Sequence, residues 1–225
     1  MRIKGLKKMI AAAGVIAAMA GLAGCGGGSG SGDNDVNIGY FNNVTHAQAL
    51  YMKANGTLEE AFGDDTTVSW TAFNAGPAEV EALFSGDIGP VPAISANVNS
   101  EGDVSVISGS TQAGAELVKA SGSDIQSVAD LDGKTVAVPQ IGNTQHLCLL
   151  KLLSDNGLST VEEGGTVTVT AVENADVQNL MDQGNIDAAV VPEPWGSQLV
   201  QNGAEIVLDY NELYMDGNYP VAVVV

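Results

Sequence analysis

Positive charge is nearly missing from this chain. Arginine occurs once, at Arg2, and past residue 24 the only cationic side chains are Lys53, Lys119, Lys134 and Lys151. Against those four stand 27 acids, none before Asp33, so the part of the chain after residue 24 has a net charge of −23. Nucleic acid is excluded as a partner, because phosphate binding needs a basic face. A bidentate guanidinium clamp on an anionic ligand is excluded as well. Cysteine is limited to Cys25 and Cys148 and histidine to His46 and His146, so no His/Cys metal cluster can be assembled. There is also no G-x-S-x-G, and a hydrolase or transferase lacks its parts. Charged residues make up 16% and hydrophobic ones 45%, which leaves ample material for a packed core.

What is present begins with Arg2, Lys4, Lys7 and Lys8, followed by an apolar and glycine run from Met9 to Leu22 and the sequence Leu22-Ala23-Gly24-Cys25. The run is too short for an ordinary membrane span and has the order of a secretory signal peptide. A Cys at the cleavage point resembles the lipobox of bacterial lipoproteins, whose Cys is acylated. Residues 1–24 are therefore expected to be a signal peptide, Cys25 the lipidated residue, and 25–35, rich in Gly and Ser, a flexible tether. The alternative is an uncleaved anchor with a chance Cys. An acidic surface stays off anionic lipid, so acyl chains would hold such a protein at the outer face of the cytoplasmic membrane. Cys148 has no intramolecular disulfide partner once Cys25 is acylated and reads as a small core residue.

Short apolar strands alternate with amphipathic stretches. Strands are expected at Val36–Phe41, Thr67–Phe73, Val104–Gly109, Ala115–Ala120, Thr135–Pro139, Thr166–Val172, Ile186–Val191, Glu205–Leu208 and Val221–Val225. Helices are expected at His46–Phe62, Pro77–Phe84, Thr144–Asp155, Ala175–Gln183 and Trp195–Gln201. Thr45-His46-Ala47-Gln48 has the form of a capping box, and Pro77 suits a first helical position. This alternation implies an α/β architecture with mostly parallel sheets. Leu180–Trp195 and Leu83–Ile94 share one order of helix end, Gly, Ile and proline-rich loop, but the earlier copy lacks about one short strand. Two copies of one unit suggest two lobes built alike.

Five stretches, IGYFNNVTHAQAL, FNAGPAEVEALFSGD, GPVPAI, DLDGKTVAVPQIGNTQ and GNIDAAVVPEPW, occur in that order from Ile38 to Trp195. Together they resemble the substrate-binding proteins of bacterial ABC importers for aliphatic sulfonates, taurine and nitrate, a group with thiamine-precursor-binding relatives. The resemblance implies a periplasmic-binding-protein type II fold: two α/β lobes, a ligand cleft between them, and hinge strands crossing twice. Lobe 1 would span residues 36–112 and lobe 2 residues 113–218. The second crossing, 219–225, would run antiparallel to Ala115–Ala120. Relatives have a strand between Ser85-Gly86-Asp87 and Ile88-Gly89-Pro90 and further helices after the second crossing, so the chain is expected to be truncated. The implied partners are a small sulfonate-type ligand and an ABC permease with its ATPase, with no cofactor.

The cleft is expected where strands run into helix N-termini, whose open N–H groups and positive dipole ends suit an oxyanion. Asn143, Thr144 and Gln145 form one such turn; the plainer reading, that Asn143 caps its own helix, is compatible with ligand contact. Asn42, Asn43, Thr45 and His46 form an equivalent turn, for which an ordinary capped turn is the alternative. Asn74 and Gly76 precede Pro77 in a third, with the N–H groups of Gly76 and Ala78 as donors. Glu193 and Trp195 would meet an ammonium and an alkyl chain, or else start a helix and pack in the core. His146 reads as helix surface. The function expected is ligand binding for import rather than catalysis. The alternatives are a nitrate or thiamine-precursor binder and a sensing receptor of the same fold. A thiamine-pyrimidine synthase shares the fold, but an exported lipoprotein argues against it.

Overall fold

A computed structural model describes residues 35–79, 105, 108–213 and 220–224. The signal peptide, Cys25, most of the tether and the strand gap after Asp87 lie outside the described residues. Strand β1 (Asp35–Phe41) is paired with β2 (Thr67–Phe73) in a two-stranded sheet. Between them the chain makes a 3₁₀ turn at Val44–His46 and two helices, α1 (Ala47–Asn55) and α2 (Thr57–Phe62). The single helix expected over 46–62 is broken at Gly56, which sits at φ 62° and donates its N–H back to Lys53 and Met52. Asn-Gly inside a helical pattern is a left-handed stop, and the chain takes it.

The larger sheet contains β4 (Ala115–Lys119), β5 (Thr135–Val138), β6 (Thr168–Ala171), β7 (Ala188–Pro192) and β8 (Glu205–Leu208), in the order β6-β5-β7-β4-β8. β5 is parallel to β6 and β7, whereas β4 is antiparallel to β7 and β8. β5 and β7 are apolar on both faces apart from Thr135 and are covered on both, as a sheet with helical crossovers requires; β4 is buried too but carries Glu116 and Lys119. Alternation along each strand divides the core. Leu117, Val136, Val138, Ala188 and Val190 point to one side, where Leu149 and Leu153 of α3 (Thr144–Asp155) pack with Ile125 and Leu131. Val118, Ala137, Ala189 and Val191 point to the other. There they meet Val177 and Met181 of α4 (Val177–Asp182) and Leu199 of α5 (Trp195–Gln201). Cys148 lies against the first of these clusters, as expected of a small core residue.

The remaining sheet pairs β3 (Ser108–Gln112) with β9 (Pro220–Val224), antiparallel, with Ser108 opposite Val224 and Gln112 opposite Pro220. The expected partner of the last strand was Ala115–Ala120. That pairing is unavailable because β4 already has β7 on one edge and β8 on the other. A short helix, α6 (Tyr210–Leu213), follows β8 and buries Leu213, an element the periodicity did not suggest. Val36–Val225 forms one compact unit, and among the described residues no helix is long and apolar enough to cross a membrane.

Candidate functional site

The turn after β1 is organised by Asn43. Its Oδ1 accepts from the Thr45 N–H (3.0 Å) and from the Thr45 hydroxyl, and both residues are buried. The capping box expected between Thr45 and Gln48 is therefore replaced by an Asn cap two residues earlier. Because the backbone N–H fixes which amide atom is the oxygen, the Asn43 Nδ2 group is left facing away from this turn. His46 stacks on Phe41 with ring centroids 4.3 Å apart. Burial lowers its pKa to about 4, which keeps the imidazole neutral.

The turn between β5 and α3 follows the same logic. Asn143 caps α3, its Oδ1 accepting from the His146 N–H at 2.8 Å. Its Nδ2 then donates to Gln145 Oε1 at 3.0 Å, which leaves the Gln145 Nε2 donor over. His146 also serves the turn, its Nδ1 accepting from the N–H of Gly142, a residue at φ 84°. After β2, Asn74 Nδ2 donates to the Pro139 carbonyl (3.0 Å) and Asn74 Oδ1 accepts from Asn174 Nδ2 (3.2 Å). The Ala78 N–H, expected to be an open donor, points instead at Gln140 Oε1 (3.4 Å). These contacts join the turn after β2 to the turns after β5 and β6.

Three of the expected turns thus meet. Asn43, Thr45, Asn74, Gly76, Asn143, Thr144 and Gln145 line one recess of about 400 Å³, counting the solvent open to it, with Phe41, Pro139 and Pro192 as apolar walls. Asn42 and Trp195, together with Asn43 and Asn74, line an adjoining recess of about 580 Å³ measured the same way. His46 and Glu193 line neither. The Glu193 carboxylate instead accepts from the Ser197 N–H (3.2 Å) and hydroxyl (2.8 Å), the role of an acid at a helix start. Its backbone N–H donates to Gly114 and its carbonyl accepts from Val44, tying both segments to the end of β7. Trp195, the first residue of α5, packs against the second core cluster and also lines the second recess.

Glu173, Asn174 and Ala175 also line the second recess, and sequence reasoning missed them. They form a fourth strand-to-helix turn, between β6 and α4. The rule that selected the other three turns would have found it. Among the described residues no lysine lines either recess. Lys53 lies over the Tyr40 ring, while Lys119, Lys134 and Lys151 pair with Glu205, Asp124 and Asp155. The site therefore offers neutral donors, helix starts and aromatic or proline walls. Among the described residues no group of His, Cys, Asp and Glu can hold a metal ion.

This arrangement has close counterparts. The chain is 32% identical over 180 residues to an Escherichia coli (strain K12) protein that carries the name of an aliphatic sulfonates-binding protein. The match takes in 77% of this chain and 54% of that relative, so the chain spans about half the relative's length. It superposes on the alkanesulfonate-binding protein SsuA from Xanthomonas axonopodis pv. citri, bound to MOPS, with a TM-score of 0.67 and 27% identity. That superposition covers 80% of this chain and 62% of the other. On the periplasmic aliphatic sulphonate binding protein SsuA from Escherichia coli the TM-score is 0.59 at 26% identity, over 79% and 61% of the two chains. The periplasmic nitrate-binding protein NrtA from Synechocystis PCC 6803, at 15% identity and a TM-score of 0.59 over 79% and 52%, shares the fold alone. The periplasmic-binding-protein type II fold expected from the sequence is thus the fold of this chain. The NMT1-like family matches residues 29–225, and the chain belongs to the NMT1-like family.

Proposed function

We propose that this protein is the extracytoplasmic substrate-binding component of an ABC importer, taking a small sulfonate and delivering it to the permease. The observation that carries the reading is the convergence of three strand-to-helix turns on one cation-free recess. Asn43, Thr144 and Gln145 supply neutral donors there, each worth about 1–2 kcal/mol to an oxyanion when well placed. The names of the relatives support the ligand class. In this reading the turns after β1 and β2 belong to one lobe (36–112) and the turns after β5 and β6 to the other (113–218). Residues 219–225 carry the second crossing, and closure of the lobes on ligand presents the form that docks on the permease. The protein has a carrier's role and does no chemistry on its ligand. Residues 1–24 act as a signal peptide, and an acylated Cys25 holds the protein at the outer face of the cytoplasmic membrane.

A thermal-melt panel tests this, with taurine, alkanesulfonates, nitrate, sulfate and a pyrimidine thiamine precursor. Ligand at about 100 times its Kd adds about 2.7 kcal/mol, or about 5–10 °C at this chain length. A shift with sulfonates supports the assignment. A shift with nitrate or the pyrimidine alone overturns the ligand class and leaves the carrier role.

A further inference from the structure

We infer that His146 is a positioning residue of the first recess: its neutral ring holds the β5–α3 turn in the form that presents Asn143, Thr144 and Gln145. Protonation of the ring releases that turn, so the site holds its ligand less tightly in acid. The effect on ligand rests on the carrier reading above, whereas the hold on the turn does not.

The turn has two forms open to it. The Asn143 N–H donates to the Gln140 carbonyl (3.3 Å), closing a four-residue turn with Ile141 and Gly142 at its centre. Gly142 has φ 84° while Ile141 keeps a negative φ, which is the combination of a type II turn. The commoner type I turn differs by a flip of the central peptide, with φ of about −90° at the third residue. Glycine adopts either sign of φ, and the Ile141 side chain is exposed, so no packing of it opposes the flip. What selects the observed form is the Gly142 N–H, which belongs to the peptide that would turn over. It donates to His146 Nδ1 at 3.0 Å. After a flip it would point to the other side of the turn, and the bond would be lost.

The Gly142 N–H can only donate, so Nδ1 carries no proton and the neutral ring has its proton on Nε2. An imidazolium is protonated on both nitrogens and has no acceptor to offer. Taking up a proton therefore removes the bond to Gly142 outright. The charged ring also gains a rival attraction, since Glu162 and Glu163 of the 3₁₀ turn Val161–Glu163 are the carboxylates whose charges favour it. Burial outweighs them and lowers the His146 pKa from its ordinary value, so the ring is mostly neutral at pH 7. The turn it holds is continuous with the wall of the recess. Asn143 caps α3 through the backbone N–H of His146 (2.8 Å), and Asn143, Thr144 and Gln145 all line the recess. A Cβ placed on Gly142 would lie 3.8 Å from Pro77 Cγ, so the same turn touches the segment after β2. The charge of an imidazolium would by itself favour an anion. His146 lines neither recess, however, and Glu162 and Glu163 offset that charge.

Two measurements on the whole protein between pH 7.5 and 5 test this, a range that stays above the value of about 4 where His46 takes its proton. The first is a nitrogen-15 NMR titration. The His146 ring should be the Nε2–H tautomer at pH 7.5, and the Gly142 amide shift should move with the same midpoint as the ring. The second is calorimetry with ethanesulfonate, whose own charge is constant over this range. Its Kd should weaken by about fivefold toward pH 5, the worth of one hydrogen bond. His146→Leu should bind about fivefold more weakly at pH 7.5, with no further loss in acid. His146→Asn returns an acceptor close to the place of Nδ1 and takes up no proton. It should recover most of what His146→Leu loses and keep that affinity down to pH 5, with a Gly142 amide that no longer titrates. A Gly142 amide that ignores the ring overturns the proposal. So does an affinity that rises toward acid, or the same pH profile in the parent and His146→Asn. If ethanesulfonate binds at neither pH, the sulfonate reading falls, and the Gly142 amide alone upholds or overturns the hold on the turn.

Discussion

Asn143 and Gln145, two residues apart at the start of α3, are joined side chain to side chain at 3.0 Å, and the direction of that bond is set by the His146 N–H on the far side of Asn143. The two residues are therefore separable by experiment. Asn143→Ala removes the helix cap, with an expected cost of about 1 kcal/mol and a melting midpoint lowered by about 2–4 °C. Gln145→Ala leaves the cap in place and removes a free donor. It should lower the affinity for the bound anion by about tenfold, with a smaller change in melting. Calorimetric affinity and a melt on each variant check the pair.

Glu79, at the start of the helix that follows Gly76, is 1% exposed and one of its carboxyl oxygens has no partner. Burial pushes its pKa up to about 8. The folded state thus holds a proton that the unfolded chain has lost by about pH 5. Stability then falls as pH rises from the ordinary glutamate range through about 8 and is level above it. Glu79→Gln should flatten that limb and melt higher than the parent at pH 8, each pKa unit of residual shift being worth about 1.4 kcal/mol. Melting curves from pH 4.5 to 9 decide it; an unchanged slope in the variant would sink the idea.

His46 gives the opposite sign. Its pKa is lowered to about 4 by burial, so its contribution is complete above the ordinary histidine value and is lost as pH falls from there through about 4. His46→Phe keeps a ring on Phe41 and has no proton to take up. It should resist acid better than the parent between pH 6 and 4, as followed by tryptophan fluorescence or melting.

Gly114, between β3 and β4, sits at φ 85°, and an added Cβ would meet the Thr45 Cγ2 atom at 3.3 Å. Gly114→Ala meets a left-handed penalty of about 1–2 kcal/mol and crowds a residue that lines the first recess. The expected midpoint is lower by about 2–8 °C, with weaker ligand binding as well. A variant that melts and binds like the parent would mean the segment relaxes freely.

The charge of −23 past residue 24, from 27 acids and four lysines, predicts an unusual response to salt. Screening shortens the reach of like-charge repulsion from about 10 Å at 0.1 M to about 3 Å at 1 M. Adding NaCl over that range should raise the melting midpoint by several degrees, because self-repulsion opposes the compact state. The two surface ion pairs of the described residues, Lys134–Asp124 and Lys151–Asp155, lose little by comparison.

Much of this was legible in the sequence where local and global preferences agree. Thr144–Asp155, Trp195–Gln201, Thr67–Phe73 and Glu205–Leu208 have the bounds their patterns predict, because caps, glycines and periodicity coincide there. The Asn143 and Asn43 turns were visible as small polar residues between an apolar strand and a helix. Pairing of the last strand was not, since Pro220–Val224 is as apolar as any candidate neighbour and only the occupied edges of β4 decide against it. An acid near a strand end suits either an ammonium or a helix start, so the sequence left both readings of Glu193 open; its bonds to Ser197 show the helix-start role. Asn174 was legible by the same turn rule, but its bond to Asn74, a hundred residues away in the chain, was not.

The β3–β9 pairing has a consequence for the order of assembly. All five strands of the larger sheet come from one unbroken stretch, 115–208, whereas β3 finds its partner only at 220–224. During synthesis the larger sheet can therefore fold as soon as its own stretch has emerged, domains generally forming as units. The β3–β9 ribbon must wait for its second half and then close the longest strand-to-strand loop among the described residues, a step that long-range contact makes slow. The segment where the two sheets meet is thus the last to be fastened, and the turns after β1 and β2 are brought to their final places against a surface that is already built.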